Sequence, residues 1–199
     1  MLFEGAMTLP LQTGVDPAKE FSDSRSEEAA LIEDCLAGNM PAFDRLVRLH
    51  TPRVFNYLLH MTRHRQDAED VAQQTFIKAY QHLASFDRSH SFIAWLLTIA
   101  RRTALNHFRS AKQFEPVVET MPSGEAAPDQ EVEKRDQLAT LWAQARAVLS
   151  EREFEVLWLR YAEGMGVEDT ARIMCLNTTH TKIIAFRARQ RLIKFQAKP

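Results

Sequence analysis

Asp67-Ala68-Glu69-Asp70-Val71-Ala72-Gln73-Gln74-Thr75-Phe76-Ile77-Lys78-Ala79-Tyr80, running on to Leu83, carries the clearest periodicity in this 199-residue chain. Ala68, Val71, Ala72, Thr75, Phe76, Ala79, Tyr80 and Leu83 recur at i, i+3 and i+4 without interruption. That is the spacing of one buried helix face. With this face turned inward, Glu69, Asp70, Gln73, Gln74 and Ile77 share the outward side. Acids in a first turn are favoured by the helix dipole by about 0.3–1 kcal/mol each, which accounts for the carboxylates but not for the amides beyond them. A polar strip with one apolar member suits docking against a basic helical partner.

The same periodicity extends in both directions. Residues 1–25, with Pro10, Gly14 and Pro17 and no period, read as a disordered tail. A short helix begins near Ser26 and ends at Gly38-Asn39. Phe43, Leu46, Val47 and His50, then Val54, Tyr57, Leu58 and Met61, follow at helical spacing around Pro52, which fits best near a helix start, where its missing N–H costs nothing. After the polar break Phe86–Ser91, Phe92, Trp95, Leu96, Ile99, Ala100 and Thr103 mark a second strong helix toward Phe108. Residues 113–130, with Pro116, Pro122, Gly124 and Pro128 among acids, read as a linker. Beyond it helices are expected over 138–149, 154–161, 167–174 and 178–195, with Gly164-Met165-Gly166 as a break. Nothing reads as a strand. The fold class is therefore all-α: two small helical domains, 26–112 and 131–199, joined by an acidic, proline-containing linker at 113–130.

Composition narrows the functional classes. With 45% hydrophobic residues, 6 Gly and 8 Pro, wholesale disorder and low complexity are excluded. Cys35 and Cys175 stand far apart with no CxxC partner, so neither a disulfide framework nor a zinc ribbon is available. The longest apolar stretch, 92–100, is about half the ~20 residues a bilayer needs, and the N-terminus has no basic n-region. A cytoplasmic protein without membrane insertion is expected. The formal net charge of −1 hides an alternation: residues 41–112 hold 11 bases and 5 acids, 113–136 hold 2 and 7, and 137–199 hold 10 and 6. A polyanion responds to the local field of each basic block, not to the chain average.

Each basic block carries groups suited to nucleic acid. Arg101, Arg102 and Arg109 can neutralise phosphates, while Asn106 and His107 offer hydrogen bonds to base edges. Trp95 and the aromatics flanking the 87–91 loop can stack on unpaired bases, although a core position for Trp95 is the plainer reading. The C-terminal block has the shape of a helix-turn-helix, with a turn at Cys175-Leu176-Asn177. The last helix of that motif enters the major groove. Thr178, Thr179, His180 and Lys182 open it here, and Arg187, Arg189, Arg191 and Lys194 follow at spacings that reach phosphates.

These blocks in this order resemble the extracytoplasmic-function (ECF) sigma factors, the promoter-specificity subunits of bacterial RNA polymerase. Residues 67–80 look like the family's region 2.2. Phe86-Asp87 followed by Phe92-Ile93-Ala94-Trp95-Leu96-Leu97-Thr98-Ile99-Ala100-Arg101-Arg102 is similar to regions 2.3 and 2.4, and 149–164 resembles the start of region 4. The resemblance implies that Asp67, Glu69, Asp70, Gln73 and Gln74 bind the coiled coil of the polymerase's largest subunit. It implies that Arg88, Ser89, His90, Trp95, Arg101, Arg102, Asn106 and Arg109 melt and hold the minus-10 element. Region 4 would read the minus-35 duplex through Thr178, Thr179, His180, Lys182, Arg187 and Arg189, while its first helices grip the polymerase flap. Partners are then core polymerase, promoter DNA and an anti-sigma factor. No catalytic residue, metal or cofactor is implied. The sequence departs from the family pattern in two places: Cys175 stands where the turn usually has Gly, a position that favours positive φ, and Thr178–Ala185 replaces a Val-Gly-Thr-Val-like run and its polar continuation.

Two other classes compete with a working sigma factor. A sigma-like mimic or adaptor would bind an anti-sigma factor or another regulator without reading DNA, and the altered opening of the last helix is its support. An enzyme would need a site: His60 and His64 are i, i+4, but no Glu completes a zinc motif, and neither a Gly-rich phosphate loop nor a GxSxG elbow occurs.

Overall fold

The computed structural model describes residues 17–111 and 140–196, with side chains for 26–110 and 140–196. Every regular element among the described residues is helical. Helices α1 (Pro17–Leu36), α2 (Met40–Thr62), α3 (Arg65–His82) and α4 (Phe92–Ala111) form the N-terminal half, with a 3-10 turn at Leu83–Ser85. The C-terminal half contains α5 (140–148), α6 (Glu151–Leu157) running into a π turn at Trp158–Ala162, α7 (Val167–Ile173) and α8 (Thr178–Gln196).

The α3 ladder is buried except at its outer edge, where Phe76 is half-buried and Tyr80 is exposed with its ring edge-on to Phe43 of α2. Ala68, Val71, Thr75 and Ala79 of α3 are fully enclosed, and α3 packs between α2 and α4. Val54, Tyr57 and Leu58 of α2 and Leu96 and Leu97 of α4 complete this core. Burial of such Val or Leu side chains contributes about 1.5–3 kcal/mol each. The Thr75 hydroxyl turns back onto the Val71 carbonyl at 2.7 Å, so a polar atom in the core keeps its hydrogen bond.

Two boundaries differ from the sequence reading. Residues 17–25, expected as tail, are the opening turns of α1, and Pro17 stands at its first position, where proline is tolerated. Residues 1–16 lie outside the described residues, as do the expected linker at 113–130 and the start of the helix expected from 138. Pro52 does not open a helix but sits inside α2. The hydrogen bond it cannot make is one among a helix's worth of others, and α2 is held on three sides by α1, α3 and α4. Tertiary packing outweighs the local break.

In the C-terminal half Phe154, Val156, Leu157 and Leu159 of α6 and its π turn, Ile173 of α7, and Ala188 and Leu192 of α8 are buried and join the same hydrophobic cluster. A capping box starts α6: the Ser150 hydroxyl accepts from the Glu153 amide, and the Glu153 carboxylate accepts from the Ser150 amide. Arg191 of α8 donates to the same carboxylate at 2.7 Å, tying α8 to the start of α6. Asn177 caps α8, its side-chain oxygen accepting from the His180 amide at 2.7 Å. Cys175, in the turn between α7 and α8, has φ of 54°, the left-handed region the sequence comparison assigns to a glycine. An L side chain there costs about 1–2 kcal/mol.

Candidate nucleic-acid interface

On α3 the outward strip exists as expected: Glu69, Asp70, Gln73, Gln74 and Ile77 are exposed. Asp67 stands apart from them. It is half-buried, with its carboxylate 3.4 Å from His107 Nε2 of α4 and 3.8 Å from His64 Nδ1. It therefore braces α3 against α4 at the edge of the strip. Glu69 pairs with Arg65 one turn back at 2.9 Å.

The loop before α4 is a compact turn. The Asp87 carboxylate accepts from the Ser89 amide at 2.9 Å and lies 3.0 Å from His90 Nδ1, and the Ser89 hydrogen bonds hold its carboxyl below the usual range. Ser89 and His90 stay exposed, and Arg88 pairs with Glu33 of α1. Beneath the loop Phe86, Phe92 and Trp95 form an aromatic trio with ring centroids 5.2–5.4 Å apart. Phe92 is buried, whereas Phe86 and Trp95 keep part of their rings in solvent. Trp95 is thus a core packer and an exposed ring at once.

Along α4, Trp95, Arg102, Asn106 and Arg109 fall within a sector of about 60° at 100° per residue. Arg102, Asn106 and Arg109 are exposed, with Arg109 Nη1 3.4 Å from Asn106 Oδ1. Arg101 points about 110° away from that line, toward the C-terminal half. Its guanidinium donates to Glu155 of α6 at 2.8 and 3.4 Å, and the two side chains are only 16% and 14% exposed. Burial opposes the Arg101 charge, but Glu155 more than offsets it and the pKa goes up. The Tyr57 hydroxyl donates to the same carboxylate at 2.6 Å. Burial first, then the Glu155 charge, pushes its phenol well above the ordinary value. Arg101 is therefore not part of the exposed cationic line.

More contacts join the halves around this buried pair. Arg53 donates to the Glu163 carboxylate at 3.1 Å and to its carbonyl at 2.8 Å, Arg63 pairs with Glu151, and Arg146 of α5 donates to the His60 carbonyl at 2.6 Å. The His60 ring packs on Trp158, centroid to centroid 3.4 Å. Burial, helped by Arg146, lowers its pKa to about 4. A cleft of about 490 Å³ lies along this junction, walled by Tyr57, Arg101 and Phe108 on one side and Arg146, Phe154 and Trp158 on the other.

In the C-terminal half α7, the Cys175 turn and α8 form the expected helix-turn-helix. Thr178, Thr179, His180, Lys182 and Arg187 are exposed and Arg189 half-buried.

Known proteins match this arrangement. Residues 46–114 match the Sigma-70 region 2 family, a span covering most of α2 and all of α3 and α4. The chain is 30% identical over 182 residues to the RNA polymerase sigma-H factor of Pseudomonas aeruginosa, covering 86% of this chain and 94% of that protein. The chain belongs to the ECF sigma factors. It is also 31% identical over 180 residues to the ECF RNA polymerase sigma factor BldN of Streptomyces coelicolor, spanning 86% of this sigma factor and 66% of that one. Among solved structures, the sigma factor RpoE bound to the anti-sigma factor NepR from Bartonella quintana is similar in fold, with a TM-score of 0.59 at 24% identity over 79% of this chain and 98% of that one.

The junction is what sequence reading missed in this sigma factor. Glu155 and Glu163 lie within the stretch that resembles the start of region 4 and Tyr57 within the α2 period, but neither pattern pairs them with the other half; only their positions on facing helices bring them together. The sole sequence signal of that pairing is a set of charged or polar residues on otherwise apolar faces, Tyr57 among the core positions of α2 and Glu155 beside Phe154 and Val156.

Proposed function

We propose that this sigma factor docks on core RNA polymerase through Glu69, Asp70, Gln73 and Gln74 of α3, with Asp67 bracing that strip against α4. The minus-10 element is held by the 88–90 loop and by the Trp95, Arg102, Asn106 and Arg109 line. The minus-35 duplex is met by Thr178, Thr179, His180, Lys182, Arg187 and Arg189 at the start and edges of α8. The observation that carries this reading is that the acid-amide strip of α3 and Arg102, Asn106 and Arg109 of α4 are each exposed along one helix face, while Ala68, Val71, Thr75 and Ala79 of α3 are buried. Basic residues on the polymerase suit the first, and phosphates suit the second. The polymerase supplies the chemistry; this chain supplies position.

Strand opening opposes stacking of about 1.4 kcal/mol per step. A base stacked on an aromatic side chain recovers about 1–3 kcal/mol, so one base lodged against the exposed edges of Phe86 and Trp95 offsets about one step. Arg101 joins the DNA contacts only after leaving Glu155. An anti-sigma factor completes the partner set, as for the similar RpoE, and the site of action is the cytoplasm, where the polymerase works.

The test combines core-polymerase binding with promoter transcription. Asp70→Ala weakens polymerase binding with the fold intact. Arg102→Gln and Arg109→Gln leave polymerase binding unchanged but reduce promoter affinity and flatten its salt dependence by about 1 per lost phosphate contact. Normal transcription by all three variants overturns the assignment.

A further inference from the structure

Helix α8 buries Thr181, Ile184, Ala185, Ala188 and Leu192. At 100° per residue the direction opposite that buried arc is occupied by Thr179, Ile183, Phe186, Gln190 and Ile193. The three apolar members are open to solvent: Ile183 is 43% exposed, Phe186 56% and Ile193 46%. Lys182 and Arg189 run along one edge of this stripe, and Arg187 and Lys194 along the other. An apolar crest between two cationic edges is unusual for a solvent-facing helix, which ordinarily puts its charges on the crest.

The shape fits one kind of surface. A helix lying in the major groove presents the face opposite its body to the base edges and its flanks to the phosphates of the two strands. The groove floor offers donors and acceptors at every base pair but a single apolar group, the 5-methyl of thymine. We propose that Ile183 and Phe186 read thymine 5-methyl groups in the duplex bound by α8, with Lys182, Arg187 and Arg189 gripping the phosphates on either side. The proposal rests on the sigma-factor reading above and deepens it from DNA contact to base preference. Ile183 and Phe186 are one turn apart, a rise of about 4.5 Å, so they address neighbouring base pairs, which are about 3.4 Å apart along a strand. Ile193 lies about 15 Å beyond Ile183, outside the opening turns that reach base edges. A protein partner on the same crest would have to set acids against both cationic edges and an apolar ridge between them. The phosphate-walled groove already has that layout, at the spacing of a helix.

The test uses polymerase holoenzyme assembled with this chain and a pool of promoter duplexes randomised over the minus-35 block. Selection enriches thymine at neighbouring positions. Replacing those thymines by deoxyuridine removes only the methyl groups and weakens binding about fourfold per base, the equivalent of about 0.8 kcal/mol for one buried carbon. Ile183→Ala and Phe186→Ala, both at exposed positions, each bind the thymine duplex about as weakly as the unaltered protein binds a duplex with deoxyuridine at one of the two positions; each variant is then insensitive to deoxyuridine at that position and keeps the penalty at the other. Deoxyuridine duplexes bound as tightly as thymine duplexes by an active holoenzyme overturn the proposal alone, as does a deoxyuridine penalty that persists undiminished at both positions in the double variant Ile183→Ala/Phe186→Ala. A crest that docks a protein gives that first result. Failure of the unaltered chain to associate with core polymerase overturns the sigma-factor reading and the proposal with it.

Discussion

Glu155→Gln loosens the junction between the two halves. The carboxylate accepts from Tyr57 at 2.6 Å and from Arg101 at 2.8 and 3.4 Å, in a site where neither charged side chain is more than 16% exposed. Removing one partner of a buried ion pair costs about 3–5 kcal/mol. The amide keeps one acceptor oxygen, which Tyr57 or Arg101 can still use, so the loss is smaller than that, about 2–3 kcal/mol, and shifts the docked-to-separated balance about 30- to 150-fold. The loss falls on docking, because Glu155 reaches out of α6 toward α2 and α4. The assay is the radius of gyration by small-angle scattering, with amide exchange along α7, which packs on α4. Glu155→Gln expands the molecule and speeds exchange along α7, while the melting of the N-terminal core is unchanged. Tyr57→Phe gives a smaller change in the same direction, and the double variant falls short of the sum because both side chains use one carboxylate. An unchanged radius with unchanged exchange, or full additivity, refutes the assignment of Glu155 as the centre of the junction.

Other expectations follow from the same contacts. His60 titrates near 6.5 when unfolded and about 4 when packed against Trp158 and Arg146. The unfolded chain therefore binds the extra proton between those values, so stability is intact above pH 6.5, falls by up to about 3 kcal/mol as the pH drops to 4, and is flat below. Thermal melts across that range check it, and His60→Gln removes the slope. Cys175→Gly relieves the positive φ and raises stability by a net of up to about 1 kcal/mol, the relief of strain less the entropy a glycine adds, readable by denaturant titration. Ser150→Ala breaks the capping box and costs about 1 kcal/mol, seen first as faster exchange in the opening turn of α6.

The parts of the molecule legible in the sequence are those whose cause is local. The α3 ladder, the polar strip it leaves outside and the boundaries of α7 and α8 follow from spacing, whereas the positive φ at Cys175 is implied only by the resemblance, through the glycine usual at that turn. Pro52 was misleading because its local penalty is real but smaller than the packing of the long helix around it. The start of α1 at Pro17 was hidden by the absence of any apolar period there. Arg101 shows the other limit. Adjacent to Arg102, it has the same charge and the same motif, yet the 100° between them turns one to solvent and the other onto Glu155. No pattern within a single helix reveals which face meets a neighbour from 54 positions away.

Arg53, Arg63 and Arg101 all belong to the N-terminal half, and all three reach for acidic residues of the C-terminal half. Inside the folded chain, Glu151, Glu155 and Glu163 thus neutralise three guanidinium groups that a phosphate could otherwise engage. A strand that recruits any of these guanidinium groups exchanges one anion for another and does not fill a vacancy. The electrostatic gain is the difference between a phosphate in water-filled surroundings and a carboxylate already in place, and among the DNA contacts proposed above it is Arg101 that meets this competition, while Arg102 and Arg109 stand outside the junction.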